Sequence, residues 1–585
     1  MKNSILMIIA TIIVCAVSPV LAAMPGDIDN DYNSGTISLS QKLTYKALML
    51  TDPESLPPQY RIDRPLKDGT LLMQDIRLNW SQSDQEFRNR FSFLLERVNT
   101  QAFFDTPSGH FRIHYDTIGG QAVYQPTVDI DPADGVPDYV NRTGEYFDRA
   151  WYFECDTLGY DTPPTDSLQG GGMNLYDVYM HHYSGAYGVT FTEYASYQRP
   201  GRNYDYTSYI YVDPTYNGFG YNDRTLPMKV TSAHEFFHAV QFAYNANAGG
   251  WFMENCSTWM EDMMWDDIND NYAYLSYFLY YPHYPITTAN GGFEYGAFIW
   301  PMFLYETMGH GIIRQTWVYT INMPAAQALD QACIDYGTLF EEQYAIFSLW
   351  NYLTNMRDDG NHYEEGSSYG LVRTMRTHTT YPVDNMTSAS RPTALGCNYI
   401  QFFNNGQSGD LEITFDGQDG QLWYVQVIKA YANNNHIYDV MPLNPQNEGE
   451  YVVTGFDQYQ WVTIVTDLIQ GSNGNYTYSA HLLPTGVEDN LPQPDEFALS
   501  GNYPNPFNSS TVISLYSPAN QKAEVSVYDI RGRKVLEKHV NLIAGENSIP
   551  LEFNSGDSKM TASGIFYYTV DTADNKATGK MLYLK

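Results

Sequence analysis

Hydrophobic positions change their spacing several times along the chain, and each change marks a candidate domain. Residues 5–17 form a short apolar run behind Lys2, too short for a stable bilayer anchor, and Val20-Leu21-Ala22 and Leu21-Ala22-Ala23 each offer small residues for cleavage. This predicts a secretory signal over residues 1–23, which would remove Cys15. No later run is long and apolar enough to predict a transmembrane helix. Residues 39–50 and 81–98 carry helical periodicity on either side of a Pro-rich turn at 53–58. The leader, 24–105, reads either as a propeptide covering a cleft or as an ordinary packing subdomain.

From residue 109 the pattern alternates. HFRIHY at 110–115, LYDVYMH at 175–181 and YIYVD at 209–213 predict strands, and the last two bracket a Gly- and Tyr-rich stretch at 183–206. A helix is expected over 137–158, and helical spacing dominates 225–355, broken at Ala248-Gly249-Gly250. Beyond residue 382 short apolar runs at 399–403, 411–415, 422–428, 461–466 and 476–482 are separated by Gly, Asn and Asp turns, which predicts a β-sandwich. It would bind glycan or peptide, or pack on its neighbour. A polar, Pro-containing linker at 486–494 leads to a last β domain with strands near 511–516, 523–529, 547–552 and 564–570, and DIRGR at 529–533 as a hairpin turn. The expected boundaries are 1–23, 24–105, 106–381, 382–485 and 486–585.

Charge narrows the partners. The formal net charge of −35 argues against nucleic acid and anionic membrane. The cysteines left after signal removal, Cys155, Cys256, Cys333 and Cys397, are widely spaced and lack C-x-x-C, so a thiolate metal site is not expected. Two disulfides are open to an exported chain, and Cys256 reads as a small buried residue ahead of half a disulfide.

The sharpest chemical signal is H-E-x-x-H at His234, Glu235 and His238. On a helix, positions i and i+4 share a face, so both imidazoles can reach one metal ion while Glu235 approaches its water as a general base. A catalytic zinc takes three protein ligands. Glu254, at the start of the helical stretch after the Gly-Gly break, is the expected third, with Glu261 as the alternative. Thr225 and Pro227 predict the start of the helix; a capping box at Ser232 and Glu235 is the rival. Tyr295 is a candidate for stabilising an oxyanion, with His310 as the other polar candidate, though either is an ordinary core or surface residue in so Tyr-rich a chain. Asp129, Asp131, Asp134 and Asp138 surround Gly135, which reads as a calcium loop or as a turn capping the next helix. His181 and His182 are adjacent on a strand, face opposite ways and are not expected to share a metal.

Two stretches resemble known families. LSGNYPNPFNSSTVISLYSP at 499–518, VYDIRGRKV at 527–535 and SGIFYYTV at 563–570 resemble the type A C-terminal sorting domain of the type IX secretion system, an Ig-like β-sandwich. The resemblance implies export by that machinery to the cell surface or the medium. Asp134–Val140 (DGVPDYV), Ala233–Gln241 (AHEFFHAVQ) and Trp251–Glu254 (WFME) are similar to a family of secreted bacterial metalloproteases and, more broadly, to gluzincins. That resemblance implies an α+β zincin-like catalytic domain, Zn2+ held by His234, His238 and Glu254, and a protein or peptide substrate. Asn255 and Cys256 depart from the Gly that follows the ligand in gluzincins. The competing expectation is a surface adhesin or glycan-binding protein with an inactive or structural metal fold, consistent with the many tyrosines and β modules.

Overall fold

A computed structural model describes residues 24–583 except 63–64, 167–173, 184, 197, 434, 473, 484–496, 504, 506, 508–509, 530 and 554–563. The signal, Cys15 and the whole of the expected linker lie outside the described residues.

Five strands form the sheet that carries the site: β1 (Ala102–Asp105), β2 (Phe111–Tyr115), β3 (Tyr176–Met180), β4 (Gly188–Ala195) and β5 (Tyr206–Val212), in the order β1-β2-β3-β5-β4. β2, β3 and β5 are mutually parallel, and the two edges, β1 and β4, run antiparallel to their neighbours. The sheet therefore begins at Ala102, inside the segment expected to be leader. β4 occupies the Gly- and Tyr-rich stretch in which no strand was expected.

Both faces of this sheet are covered, and strand periodicity sorts the residues between them. Phe111, Ile113, Val178, Met180, Ile210 and Val212 join the core under helices Asp138–Trp151 and Thr225–Gln241. Tyr179, Val189, Phe191, Tyr209 and Tyr211 point the other way and share a second core with the leader. That leader folds as helices Pro25–Asn33, Leu39–Thr51, Thr70–Leu78 and Gln85–Phe91. The helix expected over 81–98 is shorter and flanked by 3-10 turns at Trp80–Gln82 and Ser92–Leu95. Thr70–Leu78 was not expected at all.

Helices continue to Phe340–Tyr352. The sandwich that follows pairs a five-stranded sheet (Arg376–His378, Gly396–Phe402, Trp461–Gln470, Leu422–Ala430, His436–Met441) with a four-stranded one (Val383–Met386, Tyr476–Leu483, Asp410–Gly417, Glu448–Val453). The five-stranded sheet packs against Phe340–Tyr352: Tyr399 Oη donates to Ser348 O at 2.7 Å, Trp461 Nε1 to Tyr352 Oη at 2.8 Å, and Tyr352 Oη lies 2.6 Å from Thr463 Oγ1. The module packs on its neighbour through these contacts. The last domain is a second sandwich, of three strands (Ala498–Tyr503, Ser510–Ser517, Gly545–Glu552) on four (Lys534–Leu542, Gln521–Asp529, Gly564–Asp571, Lys576–Tyr583). Among the described residues no helix is long and apolar enough to cross a membrane.

Candidate metal centre

Helix Thr225–Gln241 is buried on nearly every side, which explains its weak amphipathic pattern. Its N-cap is Arg224, and just ahead of it Asp223 Oδ1 accepts from Thr225 N at 2.9 Å and Thr225 Oγ1 at 2.7 Å, so Thr225 is the first helical residue and Pro227 lies in the first turn. Ser232 lies well inside the helix and donates to Lys229 O at 2.7 Å, so no capping box forms there. A turn through Gly249, at φ +118°, returns the chain into helix Gly250–Trp265. The two helices lie side by side and bring Glu254 against both imidazoles.

Four donor atoms converge: His234 Nε2, His238 Nε2, Glu254 Oε2 and a carboxylate oxygen of Asp68, all buried and within 4.8 Å of one another. His234 Nε2 lies 3.2 Å from His238 Nε2 and 3.2 Å from Glu254 Oε2; His238 Nε2 lies 3.5 Å from Glu254 Oε2 and 3.6 Å from Asp68 Oδ2. Ligands at zinc's usual bond length of about 2.0–2.1 Å on a tetrahedron stand about 3.3–3.4 Å apart. The two imidazoles and Glu254, 3.2–3.5 Å from one another, therefore fit the spacing of zinc ligands, and Asp68 stands within reach as a fourth donor. Two imidazoles and two carboxylates converging on one point form a donor set suited to a cation.

The outer contacts orient the ligands. His234 Nδ1 lies 2.7 Å from Glu261 Oε1, and His238 Nδ1 lies 2.9 Å from Gln241 Oε1 and 3.3 Å from Ser257 Oγ. A carboxylate or amide oxygen on Nδ1 fixes the tautomer that leaves Nε2 free for metal. Glu261, the alternative third ligand, thus stands behind His234, and Glu254 faces the convergence point.

Glu235 is fully buried, with Oε2 2.6 Å from Thr190 Oγ1, which donates to it, and Oε1 without a protein partner. Gly188 leaves room for it: a Cβ there would sit 2.5 Å from Glu235 Oε1. Burial and then the charge of Asp68 push the Glu235 carboxyl well up. Burial opposes a charge on Asp68, but the hydrogen bond and charge of His238 outweigh it and hold that carboxyl below its ordinary range.

Tyr295, on the short helix Phe293–Gly296, is buried with its ring centroid 6.3 Å from that of His234. His310 stands at the start of helix Gly311–Thr320 and takes no part in the contacts described at the centre. In the Asp129 loop, Asp129 accepts from the amides of Asp134 and Gly135 (both 2.9 Å), Asp134 from Val136 N (2.9 Å), and Asp138 from Ile130 N (2.7 Å) and Asp131 N (3.1 Å). Asp129, Asp134 and Asp138 thus bind amides of the turn, and among the described residues the four aspartates do not form a side-chain cluster at metal-ligand spacing. His182 pairs with Asp213 and His181 packs against Tyr183 and Tyr211, each away from the other, as strand alternation predicts. Cys155, Cys256, Cys333 and Cys397 are all free and buried.

Asp68 is the ligand-set member that the sequence reading missed. Lys67-Asp68-Gly69-Thr70 matches no metal motif, and its only local signal is an Asp two residues before a helical Thr, an N-cap pattern. Thr70 N and Oγ1 do donate to Asp68, at 2.8 and 2.7 Å.

No curated protein shows significant similarity to the chain. Among solved structures, a β-glucuronidase of Parabacteroides merdae is similar at 15% identity and TM-score 0.12, covering 30% of this chain and 25% of that one. Dimeric latent PorU of Porphyromonas gingivalis is similar at 8% identity and TM-score 0.14, covering 36% and 32%. PorZ of Porphyromonas gingivalis, a surface component of the type IX secretion system, is similar at 14% and 0.12, covering 27% and 22%. The chain spans about a third or less of each, and likenesses this weak bear on neither fold nor function. Residues 502–583 match the family of secretion system C-terminal sorting domains. The last domain is therefore a type IX sorting domain, its partner is the type IX secretion machinery, and the protein is exported, either secreted or held at the outer-membrane surface.

Proposed function

We propose that this exported protein is a zinc-dependent peptidase that hydrolyses peptide bonds of extracellular protein, with a zincin-like catalytic domain built on β1–β5 and the two site helices. The observation that carries this reading is the convergence of His234 Nε2, His238 Nε2 and Glu254 Oε2 beside a carboxylate, Glu235, that is not part of the ligand set. Zinc bound there would polarise a scissile carbonyl and acidify a water for attack on it. The charge of a bound zinc would favour the ionised form of Glu235, which takes the proton of that water on Oε1, its unpartnered oxygen, while Thr190 holds Oε2 and so sets the direction of the carboxylate. The same carboxyl then delivers the proton to the leaving amine. Tyr295, with its ring 6.3 Å from that of His234, would donate its hydroxyl hydrogen to the oxygen that gains charge. Edge strand β4 supplies main-chain partners for an extended peptide.

One observation favours a second reading. With Asp68 counted, the site has four protein ligands, the closed form typical of a structural zinc in a binding protein or adhesin. A structural site has no use for an unpaired carboxylate at Glu235. The test is zinc content and cleavage of a peptide library by the protein after it has been cut between residues 99 and 101, ahead of β1, and by Glu235→Gln cut in the same way. Zinc in both, with cleavage lost only in the variant, is expected of the peptidase. Equal cleavage by both, or no zinc in either, refutes it.

A further inference from the structure

Three of the four donors come from two adjacent helices, whereas the fourth reaches the site from the leader, which packs on the opposite face of the sheet. We propose that residues 24–101 are a latency segment, in which Asp68 closes the coordination position that the attacking water needs until a peptidase acting in trans cuts the connection ahead of β1. Latency in this sense presupposes the peptidase reading.

The strap that carries Asp68 lies along β4, where a substrate would bind. Leu66 N donates to Gly185 O at 2.5 Å, Tyr187 N to Leu66 O at 3.1 Å, Gly69 N to Gly188 O at 3.1 Å, and Thr190 N to Thr70 Oγ1 at 2.9 Å. Strap and extended peptide thus compete for the same edge groups. Unlike a substrate, the strap presents a side-chain carboxylate at the ligand site, so no peptide bond is offered for attack.

The residues on either side of Asp68 hold it in place. Lys67, itself buried, is 2.7 Å from Glu261 Oε2 and also pairs with Asp270, so its charge is tied to the carboxylate that orients His234. At Gly69 a Cβ would lie 2.6 Å from Leu50 Cδ2 and 2.7 Å from Val189 Cγ2, so only glycine allows the strap this close to the sheet.

The surface under the leader also suits exposure. The leader shares its core with the sheet face that it covers, and the sheet side of that core is rich in tyrosine: Tyr179, Tyr183, Tyr209 and Tyr211. Tyrosine tolerates exposure better than leucine or phenylalanine, because its hydroxyl can be wetted. The connection to β1 has no regular structure over 97–100, and Asn99 and Gln101 are exposed. Hydrolysis there consumes one water: the hydroxyl goes to the carbonyl carbon on the leader side and a hydrogen to the new amine ahead of β1. Asp68 then loses the high effective concentration that the covalent link provides.

The test uses the full exported chain, cobalt-exchanged, in three forms: intact, Asp68→Ala, and intact carrying a specific protease site at 99–101 that is cut after folding. The third form keeps the test valid where Asp68→Ala misfolds. Each is examined by visible absorption with and without a hydroxamate peptide, and by peptide cleavage. The expected result is a cobalt spectrum that changes on substitution or cutting, hydroxamate binding only in the opened forms, and cleavage at least about 100-fold faster there. Identical spectra and equal hydroxamate binding in all three forms overturn latency even where all three cleave peptide. Spectra that change without cleavage by any form overturn the peptidase reading, and latency with it.

Discussion

Asp467 sits at the seam between the five-stranded sheet and helix Phe340–Tyr352, fully buried. Its Oδ2 accepts from Gln426 Nε2 at 3.1 Å, the amide that also donates to Ala345 O at 2.9 Å, and its Oδ1 has no protein partner. Burial pushes this carboxyl up to about 8, against hydrogen bonds from Ser348 and Gln426 that lower it. In the unfolded chain the same group titrates near 3.8. Between these values the folded protein keeps a proton that the unfolded chain has lost, so stability falls as pH rises, by about 1.4 kcal/mol per pH unit. Below the window both states are protonated and nothing is lost. Above it both are charged, and the loss levels off at about 6 kcal/mol. Asp467→Asn keeps an acceptor oxygen and removes the titration. Urea unfolding followed by circular dichroism from about pH 4 to about pH 8.5 should find the two proteins within about 1 kcal/mol at the acid end and the variant increasingly ahead towards pH 8. A difference between variant and parent that stays constant across this range would show that Asp467 is not held protonated at the seam.

Three further outcomes follow from the geometry. Glu261→Gln removes the carboxylate behind His234 and should weaken zinc binding about 10–100-fold in a chelator competition; unchanged affinity would deny Glu261 that orienting role. Gly188→Ala puts a methyl 2.5 Å from Glu235 Oε1 and should cut turnover of the opened form at least about tenfold while zinc content stays the same; full turnover would show that Glu235 can move aside at no cost. Phe303→Ala empties a fully buried ring site packed against Trp300, Phe347 and Trp350, and should cost about 3–5 kcal/mol in denaturant unfolding, whereas a cost below about 1 kcal/mol would mean that the aromatic cluster collapses into the gap.

The strands most readable from the chain were those with one clear alternation. Residues 110–115 and 175–181 appear as β2 and β3 within two residues of the expected bounds. β4 was missed because its sequence, GVTFTEYA, lies in a stretch dominated by Gly and Tyr, and its place at the edge is set by pairing with β5 and by the strap, both distant in sequence. The Asp129 loop was ambiguous for the opposite reason. Its acidic residues suit either calcium or amides, and only the folded turn shows Asp129, Asp134 and Asp138 satisfied by backbone N–H groups.

The sequence by itself determined the local chemistry: a helix face bearing His234 and His238, a second helix bringing Glu254 after a glycine turn, and a tail whose motifs mark export. Each depends on spacing within a few turns of chain. Tertiary structure alone decided which carboxylate stands behind His234, where the edge strand runs, and that Asp68 completes the donor set from a leader 166 residues before His234. The physical reason is that a ligand site requires only that donor atoms meet at about 3.3 Å, and the chain can meet that requirement from any distance in sequence once strand pairing and a buried Lys67 ion pair hold the strap in place.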